Sequence, residues 1–251
     1  MRRNYAMVHD WIVPDWPAAA RVRAVCTARR GGISVAPYDS MNPADHVGDD
    51  PAAVNENRAL LSNALNLPAS PVWLQQVHGI DVVNAARVHG TPDADASWTS
   101  QDSVVCVVMT ADCLPVLLCD RAGRCVAAAH AGWRGLAAGV IEQTVSALPA
   151  RPDQLLAWLG PAIGPVAYVV GSEVRDTFLA HAAQAADAFT ATAGGWHADL
   201  YKLARQRLAR LGVTAVYGGE FCSFSERDRF YSYRRDGATG RMASLIWLAG
   251  E

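Results

Sequence analysis

The chain has 251 residues, of which 51% are hydrophobic and 18% are charged, and its formal net charge is −2 at pH 7. This composition predicts a folded protein with a sizeable core rather than a disordered chain. The near-neutral charge predicts no general attraction to nucleic acid or to an anionic membrane surface, and no stretch reaches the ~20 consecutive apolar residues of a membrane-spanning helix.

The first half of the chain alternates apolar runs with turn-forming residues. A strand is predicted at residues 21–28 and a helix at residues 52–65, with an intervening loop rich in Pro, Asp, Asn and Gly. A strand is predicted at residues 72–77, short runs rich in Val, Leu and Cys predict buried strands at residues 103–109 and 116–119, and a further strand is predicted at residues 125–129.

The second half mixes helices and strands in no regular order. Periodic apolar residues predict helices at residues 136–148, 173–186 and 200–211, the last of which Asp199 can cap. Strands are predicted at residues 155–159, 166–170, 213–217 and 243–248. Because strands and helices do not alternate regularly, an α+β fold with mixed sheets is predicted rather than a doubly wound parallel sheet. Gly194-Gly195 is the best candidate linker, but apolar segments continue on both sides of it, so residues 1–251 are predicted to form one domain.

The cysteines constrain the kind of site that the chain can build. Six of them stand at positions 26, 106, 113, 119, 125 and 222, and no two form a C-x-x-C pair, which argues against a zinc knuckle or a thioredoxin-type redox site. The first 16 residues contain no continuous apolar run and do not resemble a secretory signal, so the cytoplasm, where thiols are reduced, is the expected compartment. Any metal site must therefore be assembled from residues far apart in the sequence.

Three segments place metal-ligand side chains beside abrupt turns. His78 lies beside a glycine, Cys113 lies in a break between two predicted strands, and His130 lies where a predicted strand meets a helix. Two imidazoles and one thiolate suit zinc, and three protein ligands leave a fourth coordination position for water or substrate. The separations of 35 and 17 residues match no short metal motif. The residues alone therefore leave a second interpretation open, in which Cys113 is a small core residue and both histidines are structural.

Longer segments resemble a known family, and they occur in the family's order over nearly the whole chain. They include LQQVHG at residues 74–79, TADCLPVLLCD at 110–120, VAAAHAGWRGLAAGV at 126–140, LGPAIGP at 159–165 and YSYRRDGATGRMASLIWL at 231–248. The sequence thus resembles the YfiH family, whose members are described as laccase-like polyphenol oxidases, multifunctional purine nucleoside phosphorylases or peptidoglycan editing factors. The resemblance implies a single-domain layered α/β/β/α sandwich and a zinc site formed by His78, Cys113 and His130.

The resemblance also implies a zinc-dependent purine nucleoside phosphorylase with adenosine deaminase and methylthioadenosine phosphorylase activity, whose partners are purine nucleosides and phosphate. Zinc lowers the pKa of a bound water to near 7, which suits deamination, whereas phosphorolysis needs fixed positive charge to bind phosphate. Arg29 and Arg134 are the predicted sources of that charge, together with the backbone amides of residues 132–135 at a helix start. A surface salt bridge explains either arginine equally well.

Further polar residues flank the candidate ligands. Ser40, Asn42 and Gln76 are predicted to hydrogen-bond a base or a sugar, although turn chemistry explains Ser40 and Asn42 equally well. Asp112, beside Cys113, is a candidate either to orient a ligand or to carry a proton.

Three other interpretations stay open. A copper-dependent polyphenol oxidase is another activity attached to the resembled family, so copper is the alternative cofactor, but multi-copper oxidation needs several histidine clusters and the seven histidines are scattered. A cysteine hydrolase, editing peptidoglycan precursors for example, would use Cys113 as nucleophile and His130 as base without a metal. A non-enzymatic metabolite-binding protein would bind nucleosides tightly without turnover.

Overall fold

The computed structural model describes residues 10–250; residues 1–9, which belong to the segment assessed for a secretory signal, and residue 251 lie outside the described residues. The described helices are α1 (Pro51–Leu65), α2 (Trp133–Ala138), α3 (Val140–Ala147), α4 (Ser172–His181), α5 (Leu200–Arg210) and α6 (Tyr233–Asp236). The described strands are β1 (Val22–Cys26), β2 (Val82–Asn84), β3 (Ala96–Thr99), β4 (Val105–Thr110), β5 (Leu114–Asp120), β6 (Val126–Ala131), β7 (Leu155–Leu159), β8 (Val169–Val170), β9 (Phe189–Thr192), β10 (Gly195–Ala198), β11 (Ala215–Gly218) and β12 (Met242–Leu248). None of the described helices combines the length and the hydrophobicity needed to cross a membrane.

Two sheets packed face to face form the centre of the fold. The larger sheet has the strand order β11-β7-β5-β6-β3-β2, and it is mixed, since β11 pairs with β7 and β2 with β3 in parallel while its other pairs are antiparallel. The smaller sheet has the order β1-β12-β4 and is antiparallel. A separate antiparallel sheet has the order β8-β10-β9.

Alternating side chains along the central strands build the layers. In β4, Val105 and Val107 pack with Leu61 of α1, whereas Cys106 and Val108 pack against the larger sheet. The strands of the larger sheet likewise direct one face to the smaller sheet and the other to helices α2 to α5. The layer order is therefore α/β/β/α, which confirms the predicted α+β sandwich with mixed sheets.

Elements with strong local signals lie where the sequence predicts them. Strand β7 has the predicted bounds. Helix α5 begins after Asp199, whose carboxylate accepts a hydrogen bond of 2.9 Å from the backbone N–H of Lys202, as expected of an N-cap. Cys106, Cys119 and Cys125 are fully buried, which confirms their prediction as core residues.

Other predicted elements differ because of backbone geometry that the apolar pattern does not report. The predicted helix at residues 136–148 is two helices, since Gly139 has a φ of 111° and ends α2. The predicted strand at residues 72–77 is wrong, because Val72 and Gln75 form only isolated bridges. The helix predicted at residues 173–186 ends at His181 and is followed by a 3₁₀ turn.

Several short strands carry no usable sequence signal. Strand β3 reads Ala-Ser-Trp-Thr, and four mixed residues are too few to show an alternation. The strand predicted at residues 166–170 is reduced to Val169–Val170. The candidate linker lies at the hairpin between β9 and β10, where Gly195 pairs with Thr192.

Candidate metal centre

Three polar side chains from separate segments converge at one end of β6. His130 lies within β6, opposite Pro115 of β5, and this pairing brings the turn between β4 and β5, with Cys113, beside it. The third residue, His78, lies in the segment between α1 and β2, four residues before β2 begins. The ligating atoms of the three side chains all lie within 4.8 Å of one another, and Cys113 Sγ is 3.9 Å from His78 Nε2.

The two turns that carry His78 and Cys113 use a left-handed backbone. His78 has a φ of 59°, and Asp112 has a φ of 93°. The Asp112 carboxylate accepts hydrogen bonds of 2.6 Å from the Ser223 hydroxyl and from the backbone N–H of Arg234. Asp112 therefore ties the Cys113 turn to two distant loops, and its oxygens are engaged there rather than on a ligand.

A fully buried carboxylate, Asp95, holds both histidine segments in place. One oxygen lies 2.7 Å from His130 Nδ1 and accepts the backbone N–H of His78 at 3.0 Å. The other accepts the N–H groups of Val77 and Gly79 at 3.2 and 2.6 Å. Because Nδ1 of His130 is engaged by Asp95, Nε2 is the ring nitrogen left for a metal, an arrangement common among metal-binding histidines.

Asp95 was not predicted as a site residue, since it lies in an unremarkable loop 17 residues after His78. The register of the sheet explains its position. Ala96, the first residue of β3, pairs with Ala129 of β6, so the preceding residue stands beside His130 and its carbonyl accepts the His130 N–H at 2.7 Å. Finding Asp95 from the sequence would have required predicting strand β3, and its four residues are too few to show the alternation typical of a strand.

Two glycines of the HAGWRG segment permit the close approach of the ligand segments. A Cβ at Gly132 would lie 2.9 Å from Cys113 Sγ and 3.0 Å from His78 Cδ2. A Cβ at Gly135 would lie 2.7 Å from the carbonyl oxygen of Gly79. Any side chain at these positions would push the His78 segment away from β6.

Cys113 and His130 shift each other's protonation. Burial by itself raises the pKa of the Cys113 thiol, but the His130 charge and hydrogen bonds from both imidazoles outweigh it and lower the pKa to about 6. Burial likewise opposes protonation of His130, yet the Cys113 thiolate and Asp95 raise its pKa to about 9. Without a metal the pair is thus a thiolate and an imidazolium at neutral pH.

The donor set fits a metal ion. Ligands of a tetrahedral zinc ion, at Zn–N of about 2.0–2.1 Å and Zn–S of about 2.3 Å, lie roughly 3.3–3.6 Å apart. The observed separations, of at most 4.8 Å, exceed that range by no more than about 1.5 Å. Thiolate and imidazole suit both zinc and copper, so the cluster can bind a metal without fixing which one.

The predicted substrate-binding residues divide between two places. Arg29 and Ser40 line a cavity of about 640 Å³ whose lining includes none of the three candidate ligands. Each nitrogen of the Arg29 guanidinium donates one hydrogen bond, to the Asp39 carbonyl, the Arg227 carbonyl or the Asp39 carboxylate. The Ser40 hydroxyl accepts the backbone N–H groups of residues 31 and 32. Both side chains have structural partners, and contact with a substrate stays a prediction.

The other three predicted substrate-binding residues, Asn42, Gln76 and Arg134, are not among the residues that line this cavity. Asn42 is fully buried, and its Oδ1 accepts the backbone N–H of Arg241 at 3.0 Å. The Gln76 amide pairs with both the N–H and the carbonyl of Met109, at 2.7 and 2.8 Å, which ties the His78 segment to β4. Arg134 is exposed, and its guanidinium lies 4.6 Å from the ring centroid of Trp133.

The layered α/β/β/α fold and the His–Cys–His cluster together define a class of protein with a candidate metal centre at the end of an interior strand of a mixed sheet. Residues 23–249 match the family described as multi-copper polyphenol oxidoreductase laccase. The chain belongs to this family, the YfiH family, as its motifs predict.

Relatives and solved structures support this membership over nearly the full length. The chain is 59% identical over 245 residues to a Pseudomonas aeruginosa protein named purine nucleoside phosphorylase, covering 96% of this chain and 99% of that one. It is 55% identical over 238 residues to the purine nucleoside phosphorylase YfiH of Escherichia coli, covering 94% and 98%. A crystal structure of a Neisseria meningitidis protein matches with a TM-score of 0.93 and 54% identity, covering 96% of this chain and 99% of that chain.

Proposed function

We propose that this protein is a zinc-dependent purine nucleoside phosphorylase with adenosine deaminase and methylthioadenosine phosphorylase activity. The observation that carries the proposal is the convergence of the ligating atoms of His78, Cys113 and His130 within 4.8 Å. The names of the relatives from Pseudomonas aeruginosa and Escherichia coli support a phosphorylase, and therefore an enzyme, with purine nucleosides and phosphate as substrates.

His78, Cys113 and His130 would hold the ion, which supplies Lewis-acid activation of a water or a substrate oxygen. Asp95 keeps the proton of His130 at Nδ1, so that Nε2 presents its lone pair to the ion. The Gln76 amide and the Asp95 carboxylate fix the backbone on either side of His78, which limits the movement of this exposed ligand. The chain thus preorganises the site before substrate binds.

The phosphorolysis needs no covalent nucleophile from the protein. An oxygen of HPO₄²⁻ forms a bond to the anomeric carbon of the ribose while the glycosidic C–N bond breaks. The electron pair of that bond leaves with the purine nitrogen, and the proton of the phosphate balances the leaving purine. In deamination, water adds to the purine carbon that bears the amino group, and ammonia leaves. Both reactions depend on positioning and on positive charge near the reacting oxygens.

Turnover assays with defined metal content test the proposal. Purified zinc-loaded protein is incubated with adenosine, inosine and methylthioadenosine, with and without phosphate, and released base and ammonia are measured. We expect release of base only with phosphate, and release of ammonia from adenosine without it. Absence of both would refute the proposed function.

Variants of the ligands separate a metal role from a structural one. His78→Ala, Cys113→Ala and His130→Ala should each lose bound metal and turnover together. His89→Ala, which changes an exposed histidine outside the cluster, is the matched control and should retain both. Turnover that persists in a folded variant without bound metal would exclude the zinc mechanism, and circular dichroism verifies the fold.

The description of the family supports an alternative function, that of a polyphenol oxidase. Within residues 10–250, however, His78, Cys113 and His130 are the one group of three or more ligating side chains gathered closely enough for an ion, whereas a multi-copper mechanism needs several. Loading the protein separately with copper and zinc discriminates between them: phenol oxidation by the copper form, with nucleosides untouched, would favour the oxidase.

A cysteine hydrolase is a second candidate, because the structure adds a carboxylate to the predicted pair. Cys113, His130 and Asp95 form a thiolate, an imidazolium and an orienting carboxylate, which is the order of groups in cysteine-dependent hydrolases. Covalent labelling of Cys113 by an electrophilic substrate analogue, in chelator-treated protein that remains active, would favour this candidate over the metal-dependent one.

A further inference from the structure

Arg241 is placed beside the candidate metal centre by the pairing of β12 with β4. The next residue, Met242, pairs with Thr110, which lies three residues before Cys113. The backbone N–H of Arg241 donates to Asn42 Oδ1 at 3.0 Å, and Asn42 is itself fully buried. The backbone of this arginine is therefore held by the neighbouring strand β4 and by Asn42.

The Arg241 guanidinium has no carboxylate partner among residues 10–250. Its Nη1 donates to the carbonyl oxygens of Thr239 and Gly240 at 2.9 and 3.0 Å, while Nε and Nη2 find no acceptor in the described part of the chain. Neither of these two nitrogens is sealed from solvent. By contrast, the Arg29 guanidinium is bonded to Asp39 and to the Arg227 carbonyl through all three nitrogens.

Burial makes this unpaired charge costly. Desolvation lowers the pKa of Arg241, and the negative charges of Cys113 and Asp112 oppose that effect only in part. Once Cys113 ligates a metal, its negative charge is compensated by the ion and no longer by the arginine. The guanidinium then keeps two nitrogens, Nε and Nη2, with N–H donors that have no acceptor, together with its positive charge.

Two further arginines, Arg234 and Arg134, lie in the region of Cys113. The Arg234 guanidinium lies 5.0 Å from the ring centroid of Tyr168, and the charges of Cys113, Arg234, Asp112 and Arg134 all act on that tyrosine. The carboxylate of Asp112 is already engaged by the Ser223 hydroxyl and the Arg234 N–H. Arg234 and Arg134 therefore add positive charge to this region, which favours the binding of a compact multivalent anion.

We infer that Arg241 binds the phosphate co-substrate through Nε and Nη2, with Arg234 and Arg134 contributing positive potential. The inference rests on the proposed function for the identity of the anion. The planar guanidinium presents two parallel N–H donors to two oxygens of one phosphate, a geometry that a lysine cannot reproduce. Arg241 then replaces Arg29, which pairs with Asp39 in a cavity that none of the three candidate ligands lines, as the predicted principal phosphate ligand.

Kinetics at varied phosphate test the inference. In Arg241→Gln, loss of a charged, two-donor contact should raise the KM for phosphate about 10- to 100-fold. Deamination of adenosine without phosphate and the KM for the nucleoside should stay within about twofold. Arg241→Lys keeps the charge and should show an intermediate effect. Arg87→Gln, at an exposed arginine in the turn after β2, is the matched control and should leave all these values unchanged.

The outcomes separate this inference from the proposed function. If the wild-type protein phosphorolyses nucleosides but Arg241→Gln keeps its KM for phosphate, the inference fails and the proposed function stands. An equal loss of phosphate-dependent and phosphate-independent turnover would also overturn it, since that result indicates a structural role. If no turnover is found, inorganic phosphate should still raise the unfolding temperature of wild type and of Arg87→Gln over chloride at equal ionic strength. Persistence of that rise in Arg241→Gln would refute the inference.

Discussion

The substitution Asp95→Asn removes the charge that ties two metal ligands together while preserving the size of the side chain. In the native protein each carboxylate oxygen accepts two hydrogen bonds, one oxygen from His78 N and His130 Nδ1 and the other from Val77 N and Gly79 N. An asparagine offers one oxygen and one NH₂ group. Whichever way the amide is turned, its NH₂ group faces two of the four N–H donors, and those two hydrogen bonds are lost.

The magnitude follows from the bonds lost. A hydrogen bond to a charged group contributes roughly 1.5–3 kcal/mol, and Asp95 is fully buried, so relaxation recovers only part of two such bonds. We expect the free energy of unfolding of the metal-free protein to fall by about 2 to 4 kcal/mol, which lowers Tm by roughly 4 to 16 °C for a domain of this size. If the amide nitrogen faces His130, the ring accepts at Nδ1 and carries its proton on Nε2, so metal affinity should fall about 10- to 100-fold.

Competition for zinc with a chromogenic chelator measures the affinity, and thermal unfolding of the metal-free and zinc-loaded forms measures the stability. Asp93→Asn is the matched control, because Asp93 is exposed and lies only two residues away. It should leave both quantities unchanged. Wild-type zinc affinity in Asp95→Asn would refute the reasoning that this carboxylate positions His130 and His78.

Three further predictions follow from the geometry of the site and of one helix. Gly132→Ala places a methyl group 2.9 Å from Cys113 Sγ and should weaken zinc binding in the chelator assay, whereas Gly194→Ala, with no atoms nearby, should not. In metal-free protein, Cys113 is a thiolate above its pKa of about 6, so its rate of alkylation by iodoacetamide should be near its maximum at pH 7 and fall about tenfold by pH 5. The rate should also drop sharply when zinc is bound. A rate that still rises between pH 7 and pH 9 would contradict the lowered pKa. Asp199→Ala removes the N-cap bond to Lys202 and should lower the free energy of unfolding by about 1 kcal/mol with zinc affinity unchanged; no loss in chemical denaturation would show that the cap contributes nothing.

Local sequence signals were sufficient where structure depends on neighbouring residues. The apolar run of β7 and the Asp199 cap of α5 are confirmed, because burial on both faces and an N-terminal acceptor are visible within a few residues. The break at Gly139 needed the backbone, since a glycine inside an apolar periodic segment is compatible with a continuous helix until its φ is known.

The sequence by itself pointed to the family and, through the motifs that resemble it, to the three chemical groups of the candidate metal centre, whereas the residue types and their spacing alone left a structural interpretation open. Only the tertiary structure decided which other residues serve them. Asp95 contacts His130 through the register of β3 with β6, and the register of β12 with β4 places the residue after Arg241 opposite Thr110, near the Cys113 turn. Such contacts arise from the pairing of strands far apart in the chain, and the order of residues along one strand does not specify its partner.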